Sequence, residues 1–433
     1  MKRVFPWLAL LLLIVVSAGA PWLFGRMAEQ HFARAVMDLD ALSDRVTLEP
    51  LSYERGYLTA RARTAVTVRA TGAEPDPQDK QLILETRLEH GVTGVKSVTR
   101  PERESLTHAG ALFGDRLPQL RVDAGVDGAL RSRLRMPAFS WEPDTDVSML
   151  AGSSGEMEPL RMTLELIRGG RYSLDLDWPG GAVDVGHSRL TVEEVSLSQK
   201  LEPLLDRLWQ GEGSARLGRL ELQPLFDDPV IMEDWRVNNE SRLDGDYLDA
   251  SLGMVLGSFV LGGESLGEQR FEASISRFHA RSLDGVLDAV LDLRALQAEH
   301  DRANAPQEMA IYRRLSEHLQ SLSGHGGDLR IPDLRLRFPE GRVLGSLHLN
   351  YPALPAEQRE ERVSLMTHAN GEASLVIGRD MLWLLPANAR SGLMRLRRHG
   401  LLDESGGEYL LDVRLDGMEL DVNGELIALP PLL

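Results

Sequence analysis

Between residues 46 and 429 the apolar side chains of this sequence recur mostly with a period of two, and that habit restricts the fold more than any other feature. The clearest case is Arg362 to Ile377, where Val363, Leu365, Thr367, Ala369, Gly371, Ala373, Leu375 and Ile377 share one face. Alternation of this kind predicts strands with one dry and one wet face, the pattern of antiparallel sheets. Turn signals punctuate it. Strands are predicted over Val46 to Leu51, Tyr57 to Val68, Gln81 to His90 and Gly91 to Thr99. Leu160 to Ile167 and Tyr172 to Trp178 flank Arg168-Gly-Gly-Arg171, a hairpin signal. Ser214 to Leu222, Ile231 to Val237, Leu248 to Leu261 and Phe271 to Ala280 continue the series. A second hairpin is expected around Pro339-Glu-Gly341, and Tyr409 to Leu415 and Glu419 to Leu429 close the chain. Asn423-Gly424 supplies the two-residue turn most typical of a tight hairpin.

Helical periodicity is rarer. It is expected over Arg26 to Leu42 and over Leu201 to Gln210. It returns from Leu283 to a stop before Pro306, from Met309 to a stop at Gly324, and from Arg379 to His399 with a break at Pro386. Strands joined by turns, with helices inserted in the second half, predict an α+β fold. The body is expected to be large, mostly antiparallel and β-rich, with a few inserted helices. No βαβ alternation supports a doubly wound parallel sheet.

One segment obeys neither period. Val4 to Phe24 carries no charge and has the length of a membrane-crossing helix. Ala18-Gly-Ala20 fits a signal-peptidase site, but Pro21 would follow the cut and the apolar run continues to Phe24, so an uncleaved anchor is expected. Lys2 and Arg3 before the run outweigh Arg26 after it. The positive-inside rule then keeps the amino terminus in the cytoplasm and places the body across the membrane. The expected organisation is an anchor at 1–25 and a first β-rich part with a juxtamembrane helix at 26–150. A second β-rich part follows at 151–433, with a helical insert near 281–325.

Three pieces resemble one family. They are the anchor with its following helix, the segment Ser52-Tyr-Glu-Arg-Gly-Tyr-Leu-Thr-Ala-Arg-Ala62, and Leu415-Asp-Gly-Met-Glu-Leu-Asp-Val-Asn-Gly-Glu-Leu-Ile427. They resemble the YdgA-like bacterial proteins, a family of unknown function, and Ser276-Arg-Phe-His-Ala-Arg-Ser-Leu-Asp-Gly285 resembles that family's strand-to-helix junction. The resemblance implies a single-pass inner-membrane anchor and a periplasmic body, and it implies no reaction.

Composition removes several classes of function. There is no cysteine, which excludes disulfides, thiol nucleophiles and Cys-held metals. A net charge of −17 argues against a nucleic-acid binder. Gly263-Glu-Ser265-Leu-Gly267 matches the nucleophile-elbow pattern, but the residues after it read as a strand, where the elbow needs a helix. His318 and His325 are separated by a predicted helix end at Gly324, so no metal pair is assigned. Asp412-x-Arg414-x-Asp416-Gly417 places an arginine where a calcium loop needs a carboxylate. Met394-Arg-Leu-Arg-Arg398 is basic, and it reads more simply as cations at a helix end than as a headgroup contact.

No catalytic, cofactor-binding or metal site is assigned. The expected function is a non-enzymatic, membrane-anchored envelope protein, with lipid or another apolar ligand on a β-sheet groove. That groove rests on analogy with anchored β-groove proteins such as the AsmA-like group. The alternatives are an interaction scaffold in the periplasm, using the helical insert, and a serine hydrolase at Ser265.

Overall fold

The computed structural model describes residues 46–68, 82–102, 116–142, 152–224, 228–298, 305–358, 368–385 and 387–428, with Arg26, Ala28, Glu29, Phe32, Val36 and Phe113. The predicted anchor Val4 to Phe24 lies outside them. Among the described residues no helix is long and apolar enough to cross a membrane. The chain divides into two compact units, residues 1–198 with 220–225, and residues 199–219 with 226–433.

The first unit is an antiparallel sheet. β1 (Val46–Arg55), β2 (Thr59–Val68), β3 (Leu82–His90), β4 (Gly94–Pro101), β5 (Gln119–Gly125) and β6 (Leu130–Met136) pair in chain order. After β7 (Phe139–Trp141) and β8 (Ser153–Met157), β9 (Leu160–Leu166) pairs with β6, and β10 (Tyr172–Val185) pairs with β9 and then with β8. Cross-strand partners share a face. Ala62, Thr86, Thr99, Leu120, Leu134, Met162 and Leu176 therefore form one row, while Arg63, Glu85, Arg87, Arg100, Arg121 and Arg133 lie on the opposite, charged face. Ala28 and Phe32, both helical, pack on Ala60, Ala62 and Leu88 of the first face, and Glu29 pairs with Arg55 at 2.8 Å.

Prolines interrupt three neighbouring strands of this sheet at one level. Pro137 separates β6 from β7, Pro159 separates β8 from β9, and Pro179 sits within β10. A proline cannot donate to the ladder, and at this level β10 passes from β9 to β8 as its partner. Gly180 follows Pro179 in β10. Its φ of 135° suits glycine alone, and a Cβ there would meet the Val192 carbonyl oxygen at 2.1 Å.

The second unit repeats the two-faced design. β13 (Val230–Asp244), β14 (Tyr247–Leu261), β16 (Gln269–His279), β17 (Gly327–Phe338), β18 (Gly341–Tyr351), β19 (Asn370–Gly378) and β21 (Glu408–Asp416) form one antiparallel succession. Val237, Met254, Phe271, Leu334, Gly345, Leu375 and Leu411 run across it as a single row. The other face holds a lattice of ion pairs in which Arg270 meets Glu268, Glu272 and Asp333, and Arg335 meets Glu268 and Asp333. Gly371, Ala373, Leu375 and Ile377 share the apolar face as the alternation requires, while Val363 to Thr367 lie outside the described residues. The Asn423-Gly424 turn joins β22 (Glu419–Val422) to β23 (Glu425–Ala428), with φ positive at both residues.

Three α-helices are described in this unit. α1 (Ala280–Ala298) and α2 (Ala305–His325) form a hairpin inserted between β16 and β17, and α3 (Ala387–Arg398) follows a 3-10 turn at Arg379–Leu384. Leu393 and Met381 close one end of the apolar face over Val343, Ile377 and Tyr409.

One predicted helix is corrected. Leu201 to Gln210 holds the end of β11 (Ser188–Pro203), a turn closed by Leu204 and Leu205 N–H on the Leu208 carbonyl, and the start of β12 (Trp209–Gln223). Leu204, Leu205 and Leu208 mimic a helical stripe, yet the tight turn buries them equally well against Leu248, Ala280 and Leu283. The helix predicted to stop at Gly324 also continues through His325.

Candidate functional site

Two bulges shape the part of the second unit where chemistry-bearing side chains collect. In β16 the partners run Leu248 to Phe278 and Ala250 to Ile275, so one extra residue is accommodated on the β16 side. Arg277 takes the strain at φ 57°, and its N–H donates to Asp249 Oδ1 at 2.7 Å. Strict alternation would turn Phe278 onto the charged face; the bulge returns it to the face of Ile275. In β17 one extra residue lies between Ile331 and Leu334, where Pro332 stands, and this restores Leu334 to the apolar row.

Phe278 thereby reaches a cavity of about 220 Å³ between α2 and the sheet. Leu319, Leu322 and Ser323 of α2 line one side, and Leu329, Leu349 and Tyr351 line the other. Gly326 and Gly327 complete it where the chain leaves the helix. Nearly all of the wall is hydrocarbon. Ser323 Oγ donates to the Gln320 carbonyl at 3.0 Å and so turns its polarity back into the helix. The Tyr351 hydroxyl has no hydrogen-bond partner among the described residues, and burial pushes its phenol above the ordinary value. It is therefore a neutral donor near neutral pH. An apolar wall of this kind, bordered by a tyrosine, suits a hydrocarbon chain.

Beside the cavity the two ends of the helical hairpin meet. His279 closes β16 and His325 closes α2, and their rings stack with centroids 3.9 Å apart and planes 7° apart. His279 Nδ1 shares a hydrogen bond with Ser282 Oγ at 2.8 Å, and Ser282 Oγ shares one with Ser321 Oγ at 2.7 Å. His325 Nδ1 lies 2.7 Å from the Ser321 carbonyl oxygen, to which it donates. Ser282 is 3% exposed, so its hydroxyl serves as a rivet between the helices. Farther up the hairpin, the His318 ring lies flat against Gly285, where a Cβ would come within 2.5 Å of ring atoms. The two histidines considered together in the sequence thus have separate partners, His318 on α1 and His325 on His279.

Other sequence candidates are dispersed. Ser265 lies in β15 (Glu264–Ser265), a two-residue strand paired back onto Val260 and Leu261, and β16 follows it. No helix begins there, so the strand–turn–helix geometry of a nucleophile elbow is absent. Asp412 and Asp416 are in β21, and Glu419 and Asp421 in β22. Among the described residues no group of three or more metal-ligating side chains converges. Arg55-Gly56 ends β1 at the turn into β2.

Sequence reasoning singled out Leu319, Leu322 and the Ser276–Gly285 segment without connecting them to Leu349 or Tyr351. The signal available was the exchange of period two for period 3.6 around His279; which strand faces the helix is set by sheet order. A family model described as a bacterial protein of unknown function, DUF945, matches residues 1–430. No curated protein and no solved structure matches the chain.

Proposed function

The chain belongs to the DUF945 family of bacterial proteins of unknown function, and from that premise we propose that it is a tethered lipid-binding protein of the cell envelope. Its anchor is Val4 to Phe24, its amino terminus is cytoplasmic, and its body lies in the periplasm. The resemblance to YdgA-like proteins agrees with this arrangement. The cavity under α2 takes an acyl chain, with Tyr351 donating to an ester or carboxyl oxygen. The observation that carries this reading is the cavity itself, walled by hydrocarbon between α2 and the sheet and bordered by Tyr351. The opposite face of the sheet is charged and supplies solubility.

The test is photocrosslinking of the full-length chain in membranes with a diazirine-bearing acyl lipid. Adducts on peptides holding Leu319 to Leu329 or Leu349 to Tyr351 are expected. Adducts confined to Val4 to Phe24 would reject lipid uptake while keeping the anchor. Topology is read separately: alkaline phosphatase fused after Leu433 should be active, and a cytoplasmic-only fluorescent fusion at the same place should be dark.

A scaffold role is the second reading. It is favoured by Leu287 and Leu291, one turn apart on α1 and partly exposed, and by Met309, which is 68% exposed on α2. Crosslinking in cells from position 309 to one specific protein, with no lipid adduct in the cavity, would favour it over lipid binding.

A further inference from the structure

α3 is a basic helix in an acidic protein. Its sequence, Ala387-Asn-Ala-Arg-Ser-Gly-Leu-Met-Arg-Leu-Arg-Arg398, holds four arginines and no carboxylate, while the chain carries a net charge of −17. The arginines fall into two groups. Arg397 lies over the Tyr409 ring at 5.6 Å and pairs with Glu404, which also meets Arg379. Arg390, Arg395 and Arg398 are exposed and have no carboxylate within 4 Å among the described residues. Arg395 and Arg398 donate through Nε to the Ser391 and Met394 carbonyls at 3.4 Å. Those bonds use Nε alone, and both side chains are exposed. Leu393 is 6% exposed and fixes the helix to the core, so the basic side cannot turn inward.

We propose that this face of α3 docks on anionic phospholipid headgroups. Guanidinium forks match phosphate oxygens in pairs, and free phosphate or an acidic protein would meet the same charges. The lipid surface is favoured because a chain tethered to a bilayer meets headgroups at high effective concentration. Each arginine near an anionic surface contributes about fivefold in binding, so the three together contribute on the order of a hundredfold. The proposal rests on the anchored reading only for that proximity, and the test separates the two.

The chain lacks cysteine, so Ser391→Cys gives one labelling site between the arginines. The full-length protein, spin-labelled there, is reconstituted in nanodiscs of phosphatidylcholine alone or with phosphatidylglycerol. Failure to enter any disc would reject the anchor. In discs, the expected result is loss of access to a water-soluble paramagnetic relaxer only with phosphatidylglycerol, reversed by raised salt. The triple change of Arg390, Arg395 and Arg398 to Gln should abolish the protection, and the triple change to Lys should keep most of it. Loss of protection on adding inorganic phosphate, at an ionic strength where chloride leaves it intact, would reassign the site to a free anion. Equal access in both discs, or protection that survives the Gln variant with unchanged circular dichroism, overturns the proposal.

Discussion

Asn423 and Asp412 bind each other reciprocally. The Asn423 N–H donates to the Asp412 carbonyl at 2.8 Å, and the Asp412 N–H donates to Asn423 Oδ1 at 2.7 Å. Asn423 Nδ2 also donates to the Leu401 and Leu410 carbonyls, each at 3.0 Å. β20 (Asp403–Ser405) pairs with one part of the β21 edge and β22 with another. The Asn423 amide satisfies the backbone groups left between them. The same residue supplies the φ of 50° that its turn needs.

Asn423→Gly keeps the turn and deletes the amide, whereas Asn423→Ala loses both. Leaving partly buried backbone groups unpaired costs about 1–3 kcal/mol. Hydrogen exchange at Asp412 should accelerate in both variants, and more in the alanine one. Wild-type protection at Asp412 in Asn423→Ala would show that water replaces the amide without cost.

Gly285→Ala should loosen the helical hairpin. The new Cβ would stand 2.5 Å from the His318 ring, so the ring or the helices must shift. Overpacking of this kind costs about 1–3 kcal/mol. Exchange should rise throughout α1 and α2 and remain unchanged in the first unit. Pairing the change with His318→Ala should restore protection, because the smaller side chain vacates the space.

His90 predicts a pH dependence for the first unit. Its imidazole is 3% exposed, and burial holds its pKa below the ordinary histidine value, helped by the Arg55 charge and opposed by the Tyr57 backbone. The unfolded chain then takes up the proton first as pH falls. The stability linked to His90 is full above the unfolded value of about 6.5. It declines as pH drops toward the lower folded value and levels off below it. His90→Phe should flatten this part of the profile in thermal melts followed between pH 7.5 and 5. An identical slope in wild type and variant would remove His90 as the cause.

The bulge at Arg277 controls access of Phe278 to the cavity. Asp249→Ala deletes the acceptor that holds it, and Leu349→Trp fills the space from the sheet side. Both should reduce acyl-lipid crosslinking at Leu319 to Leu329 by about tenfold, as expected when about 1.4 kcal/mol of binding is lost. Tyr351→Phe should weaken capture of an ester lipid and spare a hydrocarbon probe. Equal capture of both probes by Tyr351→Phe would remove the phenol from the site.

Local pattern was enough for the strands it marked, because a period of two needs no knowledge of neighbours, but it marked nothing over β5, β6 or β11. It also determined the Asn423-Gly424 turn and the helical hairpin, both written in local residues. It did not determine that Leu201 to Gln210 is strand and turn, since its leucines satisfy two periods and burial alone chooses between them. Nor could it place Phe278 and Tyr351 in one cavity. Their meeting depends on a one-residue bulge and on strand order, which come from pairing between segments far apart in the chain. A period of two reverses every side chain when one residue is inserted. Local pattern therefore specifies that a strand has an apolar face, and only tertiary pairing decides what that face meets.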